Sequence, residues 1–258
     1  MRLERIVVFP IKGLDGIDLA EARITARGIL ENDRVFAIER GDGKFVNGKR
    51  EPRIFKLRCS FDPGAREVAL GVGGLSGATR FVLSEPALLN RWLTDYLGYP
   101  VLLRHEPEAG FPDDRAAPGP TVVGAASLRA VTGWFPELDE ESTRRRFRAN
   151  LEIGGEDGPA FAEDALFAAP GELRPFSIGD IRLLGHNPCQ RCAVPGRDPE
   201  TGAETPGFTQ EFAERRRQTL PAWSNPAQFT HFYRLAVNTS IPASEAGKVI
   251  RVGDPVAA

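Results

Sequence analysis

The chain has 258 residues, 41% of them hydrophobic and 26% charged, with a net charge of −2. That composition belongs to a globular protein with enough chain for one large domain or two small ones, and its near-neutral balance gives no electrostatic footprint for nucleic acid or an acidic membrane. Three cysteines cannot staple a secreted fold, no apolar run is long enough to span a bilayer, and MRLERIVVFPIKG enters an alternating strand without a signal-peptide pattern, so a cytoplasmic setting is expected.

In chain order, RLERIVVFPI (Arg2–Ile11), ARITA (Ala22–Ala26) and RVFAIE (Arg34–Glu39) are rich in β-branched and aromatic residues and predict short strands. GDGK (Gly41–Lys44) predicts a hairpin turn, because Asp-Gly supplies the positive φ such turns require. FKLRCSF, REVALGV and TRFVLS continue the strands, with Cys59 as core filling. PALLNRWLTDYLG predicts one clear helix, entered at Pro86 and stopped by Gly98. EPEAGFPDDRAAPGP (Glu106–Pro120) has loop composition and marks a boundary, giving domains 1–118 and 119–258.

The second half opens on TVVGAASLRAVTGWF, a strand turning into a helix that Ser127 is expected to cap. A charged helix, ELDEESTRRRF, runs into the strand LEIGG, and Arg144 to Arg146 read as a solvated face. Strands follow at IRLLGHN, HFYRLAVN and KVIRVGDPV, with a short helix over Gly207–Pro221. Regular strand–helix alternation is missing, so the expected class is mixed, strand-dominated α+β, with helices decorating barrels or sheets.

The chemistry concentrates in HNPCQRCAVPGRDPETG (His186–Gly202), which holds Cys189 and Cys192. A structural zinc site needs four nitrogen or sulfur ligands, and neither a second cysteine pair nor a paired histidine spacing is present. A thioredoxin-like dithiol opens a helix, whereas Pro195 and Pro199 shape a loop here. Two readings stay open: a thiolate favoured by Arg191 and offered to a metal that brings most of its own ligands, or a pair of plain buried cysteines in a tight turn.

Cys-x-Arg-Cys followed by Asp-Pro-x-Thr-Gly resembles the signature of the MOSC domain. FPIKG (9–13), DRVF (33–36) and REPR (50–53) resemble, in order, elements of the β-barrel domain that commonly precedes it. RFRAN (146–150) and the closing KVIRVGDPV extend the resemblance over nearly the whole chain.

The resemblance, strongest to the amidoxime-reducing members of the family, implies a MOSC-type β-barrel behind an N-terminal β-barrel-like domain. It implies a molybdenum cofactor, with Cys192 as metal ligand and catalytic centre. Lys12, Gly13, Arg34, Arg148, Gln190 and Arg191 would hold the cofactor, and Gly124 and Ala125 would approach its phosphate through backbone N–H groups. The implied activity is reduction of small N-hydroxylated compounds, with electrons from a separate ferredoxin- or flavoprotein-type donor. A persulfide-bearing sulfur carrier and a cofactor-storage module are the alternatives. His186 and Asp198 flank the loop as candidates for proton delivery. Three departures from the family pattern stand out: Gly13 where serine is usual, Ala149 in place of proline, and Pro195-Gly196 where the amidoxime reducers carry two threonines.

Overall fold

The computed structural model describes residues 1–62, 66–155 and 158–258. Its strands in chain order are β1 (Arg2–Val8), β2 (Ile17–Leu19), β3 (Glu21–Arg23), β4 (Phe36–Arg40), β5 (Leu57–Asp62), β6 (Glu67–Val72), β7 (Thr79–Val82), β8 (Val101–His105), β9 (Val122–Gly124) and β10 (Leu151–Gly154), then β11 (Arg174–Ile178), β12 (Ile181–Gln190), β13 (Arg234–Ser240), β14 (Val249–Arg251) and β15 (Val256–Ala257). The helices are α1 (Ala87–Leu97), α2 (Ala125–Thr132), α3 (Glu140–Phe147) and α4 (Phe208–Gln218). The fold is strand-dominated α+β, as its sequence pattern predicts.

Eight strands form one sheet in the order β15-β11-β12-β13-β9-β10-β1-β2. It closes on itself. Val256 N donates to Met1 O at 2.9 Å, Leu3 N to Asp254 O at 2.8 Å and Gly253 N to Leu3 O at 2.8 Å, stitching β15 and its approach to β1. Closure leaves no long unpaired edge along this seam. Inward residues from both halves of the sequence fill the ring: Leu3, Ile6 and Val8 pack with Val122, Leu151, Ile153, Ile181, Leu183 and Val237. Each such side chain contributes roughly 1.5–3 kcal/mol by leaving water. The first strand is thus a stave of the barrel that the second half otherwise builds.

A second core gathers residues 11–103. β4 pairs with β8, and β5, β6 and β7 form a meander. Helix α1 covers this core with Leu89, Leu93 and Leu97, spaced four apart on one face, and stops at Gly98 in the left-handed region (φ 73°). Cys59 is core, as expected. A third core, aromatic, holds α2, α3 and α4 to the barrel through Phe135, Phe147, Phe208 and Phe212.

Helix α2 corrects one expectation. Ser127 does not cap it: Gly124 is the N-cap residue and no side chain caps the helix. The Ser127 hydroxyl donates instead to Glu163 Oε2 at 2.6 Å and accepts Phe161 N at 2.6 Å. Glu163 is fully buried, and its second oxygen has no hydrogen-bond partner. Burial first, and the neighbouring Asp164 second, push the Glu163 carboxyl up to about 7. Asp164 itself pairs with Arg216, whose guanidinium lies 4.0 Å from the Phe161 ring centroid and 5.1 Å from that of Phe229.

Candidate functional site in a cation-walled cavity

A cavity of about 870 Å³ opens between the barrel and the N-terminal core. Its wall includes Lys12, Gly13, Arg34, Arg148, Cys189, Gln190, Arg191 and Cys192, drawn from both ends of the chain. Among the described residues no group of three or more His, Cys, Asp or Glu side chains is placed to hold a metal ion alone. A metal seated here must bring ligands of its own.

Lys12 follows β1. Its N–H donates to Phe36 O at 2.8 Å, and its Nζ contacts Asp113 Oδ1 at 2.8 Å and Phe111 O at 2.9 Å. Arg34 and Arg148 both adopt left-handed backbone, with φ of 51° and 52°. A non-glycine residue is held there at a cost of about 1–3 kcal/mol, a strain that collects at functional sites. Both guanidinium groups lie against the Phe9 ring, at 5.3 Å and 4.2 Å from its centroid. Burial opposes the charge of Arg34, but Asp33 and Asp113 more than restore it, and its pKa rises. Arg148 fares differently. Burial, with Arg34 as a like-charged neighbour, brings it down to about 10 although Asp15 and Asp113 pull the other way. Arg148 Nη2 donates to Leu14 O at 2.6 Å, and this half-buried arginine beside a like charge favours an anion.

Asn150 organises these groups. Its Oδ1 accepts from Arg34 Nη1, Thr121 N and Thr121 Oγ1, each at 3.2 Å, and its Nδ2 donates to Val7 O at 3.0 Å. One carboxamide therefore joins β1, the start of β9 and the cavity arginine. The RFRAN stretch carries it in plain view, yet only the arginine had a reason to be singled out.

The cysteine loop starts where β12 ends. Arg191 N donates to Tyr233 O at 3.0 Å, just before the neighbouring β13. Arg191 Nη1 donates to Cys189 Sγ at 3.2 Å, Nη2 donates to Phe147 O, and Nε has no partner. Cys192 follows, half-buried in the wall. Gln190 lies in register with Arg234, whose guanidinium donates to Pro188 O at 3.0 Å and Thr230 Oγ1 at 3.1 Å and lines the same cavity. No sequence signal marked Arg234, because its place follows from strand register alone.

Several expected site residues lie elsewhere. Gly124 and Ala125 are buried outside the cavity wall, and a Cβ on Gly124 would meet Glu163 Oε2 at 2.6 Å, so this glycine makes room for a carboxylate of the protein rather than for a phosphate. His186 and Asp198 do not line the cavity either. His186 Nε2 bonds Ser240 Oγ at 2.8 Å, and burial lowers its pKa. Asp198 holds the turn after the loop by accepting from Thr201 N and Thr201 Oγ1 at 2.8 Å and Glu200 N at 3.1 Å.

The arginine run is not a solvated face. Arg144 bonds Glu152, Arg145 reaches Pro199 O at 2.9 Å, and the buried Arg146 donates to Pro195 O at 2.9 Å and Thr205 Oγ1 at 3.2 Å. Helix α3 therefore grips the cysteine loop from behind. Such a grip gives the loop a single backbone course without using its thiols.

Residues 1–82 match the family model of the MOSC N-terminal beta barrel domain, and residues 121–257 that of the MOSC domain. The chain belongs to the MOSC domain family. It is similar to the mitochondrial amidoxime-reducing component 1 of Homo sapiens, with 26% identity covering 96% of this chain and 80% of the human protein. The corresponding protein of Mus musculus is 24% identical, over 96% of this chain and 79% of the mouse protein. Among the described residues no helix is long and apolar enough to cross a membrane.

Within this MOSC protein the departure at Gly13 has a backbone reason. Its φ of +92° is one that L side chains rarely adopt. Pro195 is likewise built in: it is buried, and its carbonyl receives Arg146. The stiff turn serves the loop's anchorage on α3.

Proposed function

We propose that this protein binds a molybdenum cofactor, a pyranopterin phosphate whose dithiolene holds the metal, and reduces small N-hydroxylated compounds. The observation that carries the reading is the meeting, in one cavity, of a half-buried cysteine with Lys12, Arg34, Arg148 and Arg191.

The donor set fits the cofactor. A phosphate monoester is dianionic and takes charge-assisted hydrogen bonds, which guanidinium groups supply in pairs. Arg148 is half-buried beside the like-charged Arg34, and Arg191 Nε is buried without an acceptor. Cys192 supplies one soft sulfur, which suits a transition metal already held by other sulfurs. When bound, the cofactor supplies two-electron redox chemistry.

The chain's own residues do the rest. Lys12, Arg34 and Arg148 fix the anionic end, while Cys192 fixes the metal end. Asn150 aims Arg34, and the bonds from Arg145 and Arg146 hold the cysteine loop. Among the described residues the aromatic side chains of the wall are Phe9, Phe55 and Phe111, and Arg234, Asn187, Asn238 and Gln228 add a polar stretch suited to a small hydrogen-bonding substrate. Overall, an N–OH group, two electrons and two protons give N–H and water. The electrons come from a separate ferredoxin- or flavoprotein-type partner.

The test is elemental and pterin analysis of protein from a cofactor-producing host, followed by turnover of benzamidoxime with reduced viologen dye. Stoichiometric molybdenum with turnover that Cys192→Ser abolishes is the expected result. Sulfane sulfur on Cys192 without molybdenum would establish the carrier, and bound cofactor without turnover would establish storage.

A further inference from the structure

The strap of residues 109–115 hangs the Asp113 carboxylate in front of the cation cluster. Ala109, Phe111, Pro112, Asp113, Asp114 and Arg115 all line the cavity. The strap's upstream end is fixed: Phe111 N donates to Arg34 O at 2.8 Å, and the Phe111 ring meets Phe45 edge-on at 5.1 Å. Gly110, at φ +58°, passes so close that a Cβ would lie 3.1 Å from Asp33 O and 3.2 Å from Arg34 O. Beyond this anchor Asp113 reaches Lys12 Nζ at 2.8 Å, yet its side chain stays 77% exposed. Partial desolvation at the cavity wall pushes its carboxyl up, but Arg34, Lys12 and Arg148 together bring it down to about 2. All three cations of the anion site therefore act on this one carboxylate.

We propose that Asp113 is a built-in counter-ion, occupying the anion site while the protein is free of ligand and exchanged for a phosphate group when one arrives. The inference rests on the reading of Lys12, Arg34 and Arg148 as a phosphate clamp. Charge counting gives the reason for exchange. The three cations face Asp33 and Asp113; Asp15, which also acts on Arg148, is already paired with Arg58 at 3.1 Å. A phosphate dianion raises the negative total around these three cations from two to four, so phosphate and a resident carboxylate compete for the same positive charge. Asp33 cannot leave, because its Oδ1 accepts Phe9 N at 2.8 Å and its Oδ2 binds Arg34. Asp113 can: it is exposed and lies outside the cores.

The test measures inorganic phosphate binding to the full chain, purified without cofactor, by isothermal titration at low ionic strength. Asp113→Asn, which keeps the shape and removes the charge, is expected to bind phosphate about tenfold more tightly than wild type, an advantage that shrinks with added salt. Asp113→Glu keeps the competing charge and stays within about twofold of wild type on the same reasoning. Phosphate affinity in Asp113→Asn that is unchanged or weaker overturns the counter-ion role and makes Asp113 a positioning partner of Lys12. The clamp is checked separately by Arg148→Gln, which abolishes saturable binding if the clamp is real. Saturable phosphate binding that persists in Arg148→Gln overturns the clamp itself.

Discussion

Glu163→Gln isolates the cost of one buried carboxylate. In the folded protein the Glu163 carboxyl sits at about 7, against 4.5 for an unhindered glutamate, with burial as the leading cause. A folded pKa above the unfolded one means that the native state holds the proton more tightly. The favourable linkage is then fully present below about pH 4.5 and is lost as pH rises through 7. The difference of 7 − 4.5 units corresponds to about 3 kcal/mol of native stability lost across that window. Glutamine mimics the protonated side chain and still accepts the Ser127 hydroxyl. It should match wild type near pH 5 and be more stable by about 1–3 kcal/mol at pH 8. Urea unfolding of both proteins at pH 5, 6.5 and 8 measures this directly. A wild-type midpoint that does not fall between pH 5 and 8, or a glutamine variant weakened equally at both ends, would refute the assignment of an energetic cost to the ionised carboxylate.

Three further perturbations follow from contacts described above. Asn150→Ala removes the acceptor of Arg34, Thr121 N and Thr121 Oγ1 and the donor to Val7 O; it should cost about 2–3 kcal/mol in chemical denaturation and weaken phosphate binding as Arg34 loses its aim. Arg216→Ala leaves Asp164 buried without its cation and opens a gap between Phe161 and Phe229; about 3–5 kcal/mol of destabilisation is expected, read as a lowered melting temperature. Alkylation with iodoacetamide at pH 7.5 should label Cys189 and Cys192 and spare Cys59, whose thiol burial pushes up to about 12; mass spectrometry of tryptic peptides reads the outcome, and rapid labelling at Cys59 would contradict its placement in the core.

The strands and helix α1 were legible because their signals are local: alternation in β1, the four-residue spacing of Leu89, Leu93 and Leu97, and the stop at Gly98. The ring was not. Pairing β1 with β10 joins residues about 150 apart in sequence, and nothing local in RLERIVV names that partner. Of the site, Lys12, Arg34, Arg148, Gln190, Arg191 and Cys192 lie on one cavity wall, as the motif resemblance led one to look for. Gly124 and Ala125 lie off that wall, and the glycine's empty Cβ position is taken by Glu163, a residue 39 positions further along the chain. Arg144 to Arg146 read as exposed because three adjacent charges usually are. Arg146 is buried because a carbonyl and a hydroxyl from the loop meet its guanidinium, a match that appears only after folding. The left-handed backbone of Arg34 and Arg148 leaves no trace in residue type, since neither is glycine or asparagine.

The seam of the barrel sets an order of events for biosynthesis. Leu3 bonds Asp254, and Met1 receives Val256, so the ring has no complete circumference until Val256 has left the ribosome. Contacts this far apart pay their loop-closing entropy last and slow the final docking step. The wall around Cys192 borrows Lys12 from the segment that follows β1, the strand at this seam. Uptake of a ligand by this pocket therefore waits until the chain has been made at least through Asn238, the last residue of its wall.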